Sequence, residues 1–231
     1  MAVPELDQPL FSLEDVAVAR GGRTVLGPVS LELPGPGPVG VVGPSGSGKS
    51  TLLRLLNRLD APTAGTVRLA GVDVATTDPC AHRRRVAMVF QRPVVLPGTV
   101  ADNLRAAAPD LDDDAVAAAL ARVGLDADLA DRDARELSGG EAQRLGLARS
   151  LGTDPEVVLF DEPTSSLDPA AAARIEDLAR GLADDGIAVV WVTHDPAQLR
   201  RLARFVVQVD DGRITWAGPV DDAPQVGGAP T

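Results

Sequence analysis

Residues Gly43-Pro44-Ser45-Gly46-Ser47-Gly48-Lys49-Ser50 fit the pattern G-x-x-x-x-G-K-[ST]. Glycines at this spacing let backbone N–H groups turn inward around a chain of phosphates. A helix that starts at the end of the pattern adds positive potential. Lys49 would reach the β and γ phosphates, and the Ser50 hydroxyl would ligate Mg²⁺. Lys49 is also the only lysine in a chain with 21 arginines. A phosphate cradle suits a compact ammonium on a flexible stem better than a planar fork. Further along, Val157-Val158-Leu159-Phe160-Asp161-Glu162 is an apolar run ending in two carboxylates. Beside a phosphate loop, Asp161 is the candidate metal-side acid and Glu162 the candidate general base for an attacking water. A third feature, Leu137-Ser138-Gly139-Gly140-Glu141, precedes a helical stretch. Ser138 is a good N-cap, and the two glycines leave the helix start open to an anion.

These residues need elements to hold them. Residues 11–19 and 24–33 alternate apolar and polar side chains, as half-buried strands do, around a Gly21-Gly22 turn. Val39 to Val42 is a short apolar strand leading into the glycine-rich loop. From Lys49 to Leu59 the leucines at 52, 53, 55, 56 and 59 have helical spacing. Further strands are expected at 66–70, 86–90, 157–160, 187–192 and 204–210. Runs such as VVLF suit a sheet buried on both faces, with helices between them forming βαβ crossovers. Residues 99–151 contain Ala-rich helical stretches (99–108, 113–123, 139–151), read as a helical sub-lobe inserted into the sheet domain. The run His82-Arg83-Arg84-Arg85 reads as a solvated basic face at a strand entrance. Trp191 and Trp216 read as packing residues.

The stretch from Leu137 to Glu141, with Gln143 and Arg144 behind it, resembles the signature motif of ATP-binding cassette (ABC) ATPases. Gln91 matches the family's Q-loop glutamine, Ser165-Ser166-Leu167-Asp168 its D-loop, and His194 its switch histidine. The likeness covers about residues 10–216, with six motifs in order. It implies an α/β P-loop NTPase fold: a RecA-like parallel sheet core, an N-terminal antiparallel β subdomain and an inserted helical subdomain. The whole would be one domain over 10–218, with the helical part at about 92–151 and a loosely ordered tail at 219–231.

The resemblance also implies roles. ATP would lie on Gly43, Pro44, Ser45, Gly46, Ser47, Gly48, Lys49, Ser50 and Thr51, with Gln91, Asp161, Glu162 and His194 around its phosphates. Mg²⁺ would be held by Ser50, Gln91 and Asp161, and Lys49, Glu162 and His194 would be catalytic. Two cassettes would pair head to tail on ATP binding, so that Ser138, Gly139, Gly140 and Asp168 act on the partner's nucleotide. An integral membrane permease would dock on the helical sub-lobe near Gln91. Arg20 stands where the family usually places an adenine-stacking aromatic, and a guanidinium can also stack on a flat ring. Glu141 stands where Gln is common.

The balance of 22 basic and 33 acidic residues, net charge −11, argues against a nucleic-acid partner. So does an aromatic content of 3%. One cysteine, Cys80, excludes an intrachain disulfide and a cysteine-based metal cluster. No run approaches the roughly 18–20 apolar residues of a membrane span, and residues 1–10 do not read as a signal peptide. The expectation is a cytoplasmic ATPase subunit at the inner face of the cell membrane, whose span another chain supplies. The alternative, a soluble ABC ATPase of DNA repair or translation, fits less well with one cassette and no long heptads. The stretches Gln91–Leu104 and Ala188–Asp195 resemble cassettes for phosphate import and for iron export, with a lean to the latter.

Overall fold

A computed structural model describes residues 9–35, 37–165 and 167–224. Two sheets flank one core. The first is antiparallel and combines β1 (Phe11–Arg20), β2 (Arg23–Leu33), β4 (Ala64–Leu69) and β5 (Val72–Asp73) in the order β2-β1-β4-β5. The second combines β3 (Pro38–Val42), β6 (Val86–Val89), β7 (Val157–Asp161), β8 (Ala188–Val192), β9 (Phe205–Asp210) and β10 (Arg213–Pro219). Its order is β10-β9-β3-β8-β7-β6. All of its pairings are parallel except β9 with β10.

The sequence explains the difference between the sheets. Strand β1 alternates between the core and solvent, whereas β3, β6 and β8 are buried at every position. A parallel sheet covered on both faces needs such continuous apolar runs. Helix α1 (Lys49–Leu56) sets Leu52, Leu53, Leu55 and Leu56 into the space between the sheets, against Leu26, Val39 and Val190. On the other face lie α3 (Val100–Arg105), α4 (Asp113–Arg122) and α5 (Gly139–Leu151). Their Leu104, Leu120 and Leu147 form one cluster with Phe160 and Trp191. Helices α6 (Pro169–Asp184) and α7 (Pro196–Leu202) complete the crossovers.

Two expectations need correction. His82–Arg85, expected as a solvated basic face at a strand entrance, is the second half of α2 (Pro79–Arg85), which Asp78 caps and Pro79 opens and which leads into β6; the correction concerns His82. His82 is buried, and its Nε2 lies 2.8 Å from the Leu56 carbonyl. The arginines do face outward, and Arg85 makes a two-pronged pair with Glu156 at 2.6 and 2.9 Å. The second correction concerns the tail. Strand β10 runs to Pro219 and a 3-10 turn covers Val220–Asp222. Val220 and Ala223 pack against a small cluster of Val42, Leu199, Ala203 and Val206. The remainder of the expected tail, 225–231, lies outside the described residues.

Candidate active site

Strand β3 and helix α1 hold the glycine loop between them. Gly43 has φ +154° and passes so close to β9 that a Cβ would lie 1.9 Å from the Val209 carbonyl oxygen. Gly46 and Gly48 also have positive φ, the conformation that glycine adopts without steric cost. Lys49, 5% exposed, donates to the carbonyls of Gly43 at 3.0 Å and Pro44 at 2.8 Å. Ser47 Oγ is buried without a hydrogen-bond partner. A buried unpaired hydroxyl is costly, and a phosphate oxygen would satisfy it.

The parallel pairing of β7 with β8 and of β3 with β8 brings the other chemistry to the same sheet end. Ser50 Oγ donates to Asp161 Oδ1 at 2.9 Å. Burial pushes the Asp161 carboxyl above its ordinary range, and the neighbouring Glu162 charge adds to this; Ser50 and Lys49 oppose it. A half-buried carboxylate beside a hydroxyl is a donor set that fits Mg²⁺.

Glu162 follows at φ +46°, a left-handed conformation that costs a non-glycine residue about 1–3 kcal/mol. Its N–H donates to the Val192 carbonyl at 3.2 Å. Its carboxylate lies 3.9 Å from Lys49 Nζ through Oε1 and 3.3 Å from His194 Nδ1 through Oε2. His194 is exposed just beyond β8.

Lys49, Ser50, Asp161, Glu162 and His194 thus converge. Gln91 is set differently, its amide donating to Ser165 Oγ at 3.3 Å. The signature residues lie at the start of α5. Ser138 and Glu141 form a reciprocal cap: Glu141 Oε2 accepts from Ser138 N at 2.8 Å, and Ser138 Oγ accepts from Glu141 N at 3.3 Å. The Ser138 hydroxyl, and then its backbone, hold the Glu141 carboxyl below its usual range. Among the described residues no hydrogen bond joins Ser138–Gly140 to the glycine loop. Gln143 Nε2 on the same helix donates to the Phe90 carbonyl, next to Gln91.

Two expected residues are engaged within the chain. Asp168 Oδ1 caps α6, accepting from Ala170 N at 2.9 Å and Ala171 N at 3.0 Å. The Arg20 guanidinium is paired with Asp60, which also takes Arg54 at 3.0 Å. Sequence reasoning missed Gln198 and Glu176, two buried polar residues in helices α7 and α6. No motif marks them.

Residues 26–165 match the protein family described as "ABC transporter". The chain belongs to this family. Over 213 residues the cassette is 46% identical to "ABC transporter I family member 17" of Arabidopsis thaliana, covering 90% of this chain and 81% of the plant protein. It is 42% identical over 226 residues to "Methionine import ATP-binding protein MetN" of Caulobacter vibrioides, covering 92% and 68%. Among solved structures, the dimer of a post-hydrolysis ATP-binding cassette bound to ADP and Pi superposes with a TM-score of 0.80 at 28% identity. That match covers 91% of this chain and 98% of the other. The cassette is therefore an ATP-binding ABC ATPase with the P-loop NTPase fold.

Proposed function

We propose that this cassette is the ATP-hydrolysing subunit of an ABC transporter. On this reading two cassettes close head to tail around two MgATP and drive a separate membrane subunit. The observation that supports the reading is the convergence of Lys49, Glu162 and His194 at one sheet end, to which no hydrogen bond ties the Ser138–Gly140 helix start among the described residues. The anion-binding helix start of a second copy would then complete the site.

In this proposal the loop N–H groups and Lys49 bind the β and γ phosphates, and Lys49 exchanges its two carbonyl partners for phosphate oxygens. Ser50 and Asp161, with Gln91 from its own loop, would hold Mg²⁺, which supplies charge neutralisation at the β and γ oxygens. Glu162 accepts the proton of a water attacking the γ phosphorus, and the bond to the bridging β–γ oxygen breaks to leave ADP. His194, within reach of Glu162, keeps that water in line. Arg20 would stack on adenine by leaving Asp60. Asp168, as a helix cap with one rigid position, would signal between the two sites.

Among the described residues no helix is long and apolar enough to cross a membrane. The proposed span belongs to a partner docked near Gln91 at the inner membrane face. The residues behind the phosphate and iron likenesses, 91–104 and 188–195, fall on the Q-loop, α3 and the core strand β8. They handle nucleotide and packing, so substrate choice rests with the membrane partner.

The test is Glu162→Gln. It should bind ATP, lose hydrolysis about 100-fold or more and run as a dimer on gel filtration with MgATP. A monomeric, fully active variant overturns the base assignment. Co-purification with the product of an adjacent membrane-protein gene should then show ATPase stimulation by one of phosphate, ferrous iron or methionine; if no membrane protein associates, the transport reading fails.

A further inference from the structure

The amide of Gln198 joins the two segments that carry Glu162 and His194. It is 5% exposed, in α7, four residues after His194. Its Oε1 accepts from Trp191 Nε1 at 3.1 Å, on the strand that delivers His194. Its Nε2 donates to Glu176 Oε1 at 2.9 Å, in the helix that Asp168 caps. The same Nε2 donates to Thr164 Oγ1 at 3.0 Å, two residues after Glu162. Arg201 closes the network with two bonds to the Glu176 carboxylate, at 3.0 and 3.3 Å.

The amide has only one workable orientation. Rotated by half a turn, it would set its NH₂ against the indole N–H and its oxygen against the Glu176 carboxylate. Both amide hydrogens and the oxygen are used, and the three partners come from different elements. Thr164 belongs to the loop that holds Glu162 in its left-handed conformation. A strained residue keeps its geometry only where its surroundings over-determine it. Further bonds brace this loop, among them Glu162 N to Val192 O and Ser165 N to Glu162 O, each at 3.2 Å. The Thr164–Gln198 bond is the side-chain tie from the loop to the histidine's own helix. Thr164, Gln198 and Glu176 form one wall of a cavity of about 580 Å³ that Glu162 and His194 also line.

We propose that Gln198 is a positioning residue for hydrolysis, its amide locking the Glu162 loop to the His194 strand and helix through Thr164, Trp191 and Glu176. Its amide is fully engaged by Thr164, Trp191 and Glu176, and it acts by fixing the relation between base and histidine. The inference rests on Glu162 being the base.

The experiment compares Thr164→Val, Thr164→Ser, Gln198→Met and Glu162→Gln in the full chain, each below its measured melting transition. Thr164→Val is near-isosteric and removes the acceptor of the Gln198 amide. It should lower kcat about tenfold while KM for ATP stays within about threefold, as expected when alignment is lost and binding is kept. Thr164→Ser keeps the hydroxyl and should restore kcat. Gln198→Met should reproduce the Thr164→Val loss, and the double variant should be no worse than either single one. The proposal is overturned by wild-type kcat in Thr164→Val or Gln198→Met, by failure of Thr164→Ser to rescue, or by a raised KM at unchanged kcat. If Glu162→Gln retains turnover, the base assignment has failed. If it loses turnover while Thr164→Val and Gln198→Met are normal, only the positioning role has failed.

Discussion

His194 Nδ1 lies 3.3 Å from Glu162 Oε2 because β7 and β8 pair in parallel with Asp161 opposite Val192. The register puts the residue after Asp161 and the second residue after Val192 at the same sheet end. Removing the ring should therefore cost orientation of the reacting water, not nucleotide affinity. His194→Ala is expected to lower kcat about 100-fold, with ATP binding by titration unchanged. A loss of binding instead would place His194 in ground-state contact with nucleotide.

Asp161 trades stability for function. Burial raises its carboxyl, so the folded protein keeps a proton where the unfolded chain has released it. Stability from this group then falls as pH rises through that window, and at neutral pH the buried charge opposes folding. Asp161→Asn keeps an oxygen that can accept from Ser50 and removes the charge. The nucleotide-free variant should melt at a higher temperature than wild type at pH 8. The gap should close as pH falls toward about 4. Magnesium-dependent hydrolysis should be lost at every pH. A variant that melts lower at pH 8 contradicts the burial argument.

Local signals made much of this legible, and non-local ones hid the rest. The β3–loop–α1 unit is written within one unbroken stretch, 38–56, and so is the α5 start, where Ser138 and Glu141 form their cap within one turn. Helix α2 had its own signals, Asp78 and Pro79. Three arginines mask them, and the burial of His82 depends on a carbonyl of Leu56 far back in the chain. Strand β10 is absent from the expected strands; it holds Gly218 and Pro219, yet it is an edge strand on β9, where such residues are tolerated. Arg20 and Asp60 meet across forty positions. The Gln198 network joins four elements, and no single stretch of sequence announces it.

The glycines of the loop should not be equivalent. At Gly43 a methyl group would collide with the Val209 carbonyl, so β9 and the loop must separate. Gly43→Ala should lose stability on the order of 2–3 kcal/mol, and ATP affinity with it. At Gly46 a Cβ meets nothing within 4 Å, and only the positive φ resists it. Gly46→Ala should cost about 1 kcal/mol. Chemical denaturation of both variants checks the order, and equal losses would mean that backbone strain, not contact with β9, sets the requirement.

Gly139 offers the clearest test of a site shared between copies. A Cβ there meets nothing within 4 Å, and Gly139 lies in the first turn of α5, where an acidic side chain suits the helix dipole. Gly139→Asp should therefore fold normally and bind ATP as a monomer. Its carboxylate would face the γ phosphate of the partner's nucleotide, and hydrolysis should fall about 100-fold or more through like-charge repulsion. Mixing then separates cis from trans. A heterodimer of Gly139→Asp with Glu162→Gln has one site with intact Glu162 from the first protomer and intact Gly139 from the second. The other site carries both defects. Mixed protein should hydrolyse ATP faster than either variant alone, up to one intact site per dimer. Were Gly139 to serve its own chain's nucleotide, each site in the mixture would carry one defect, and no activity would return.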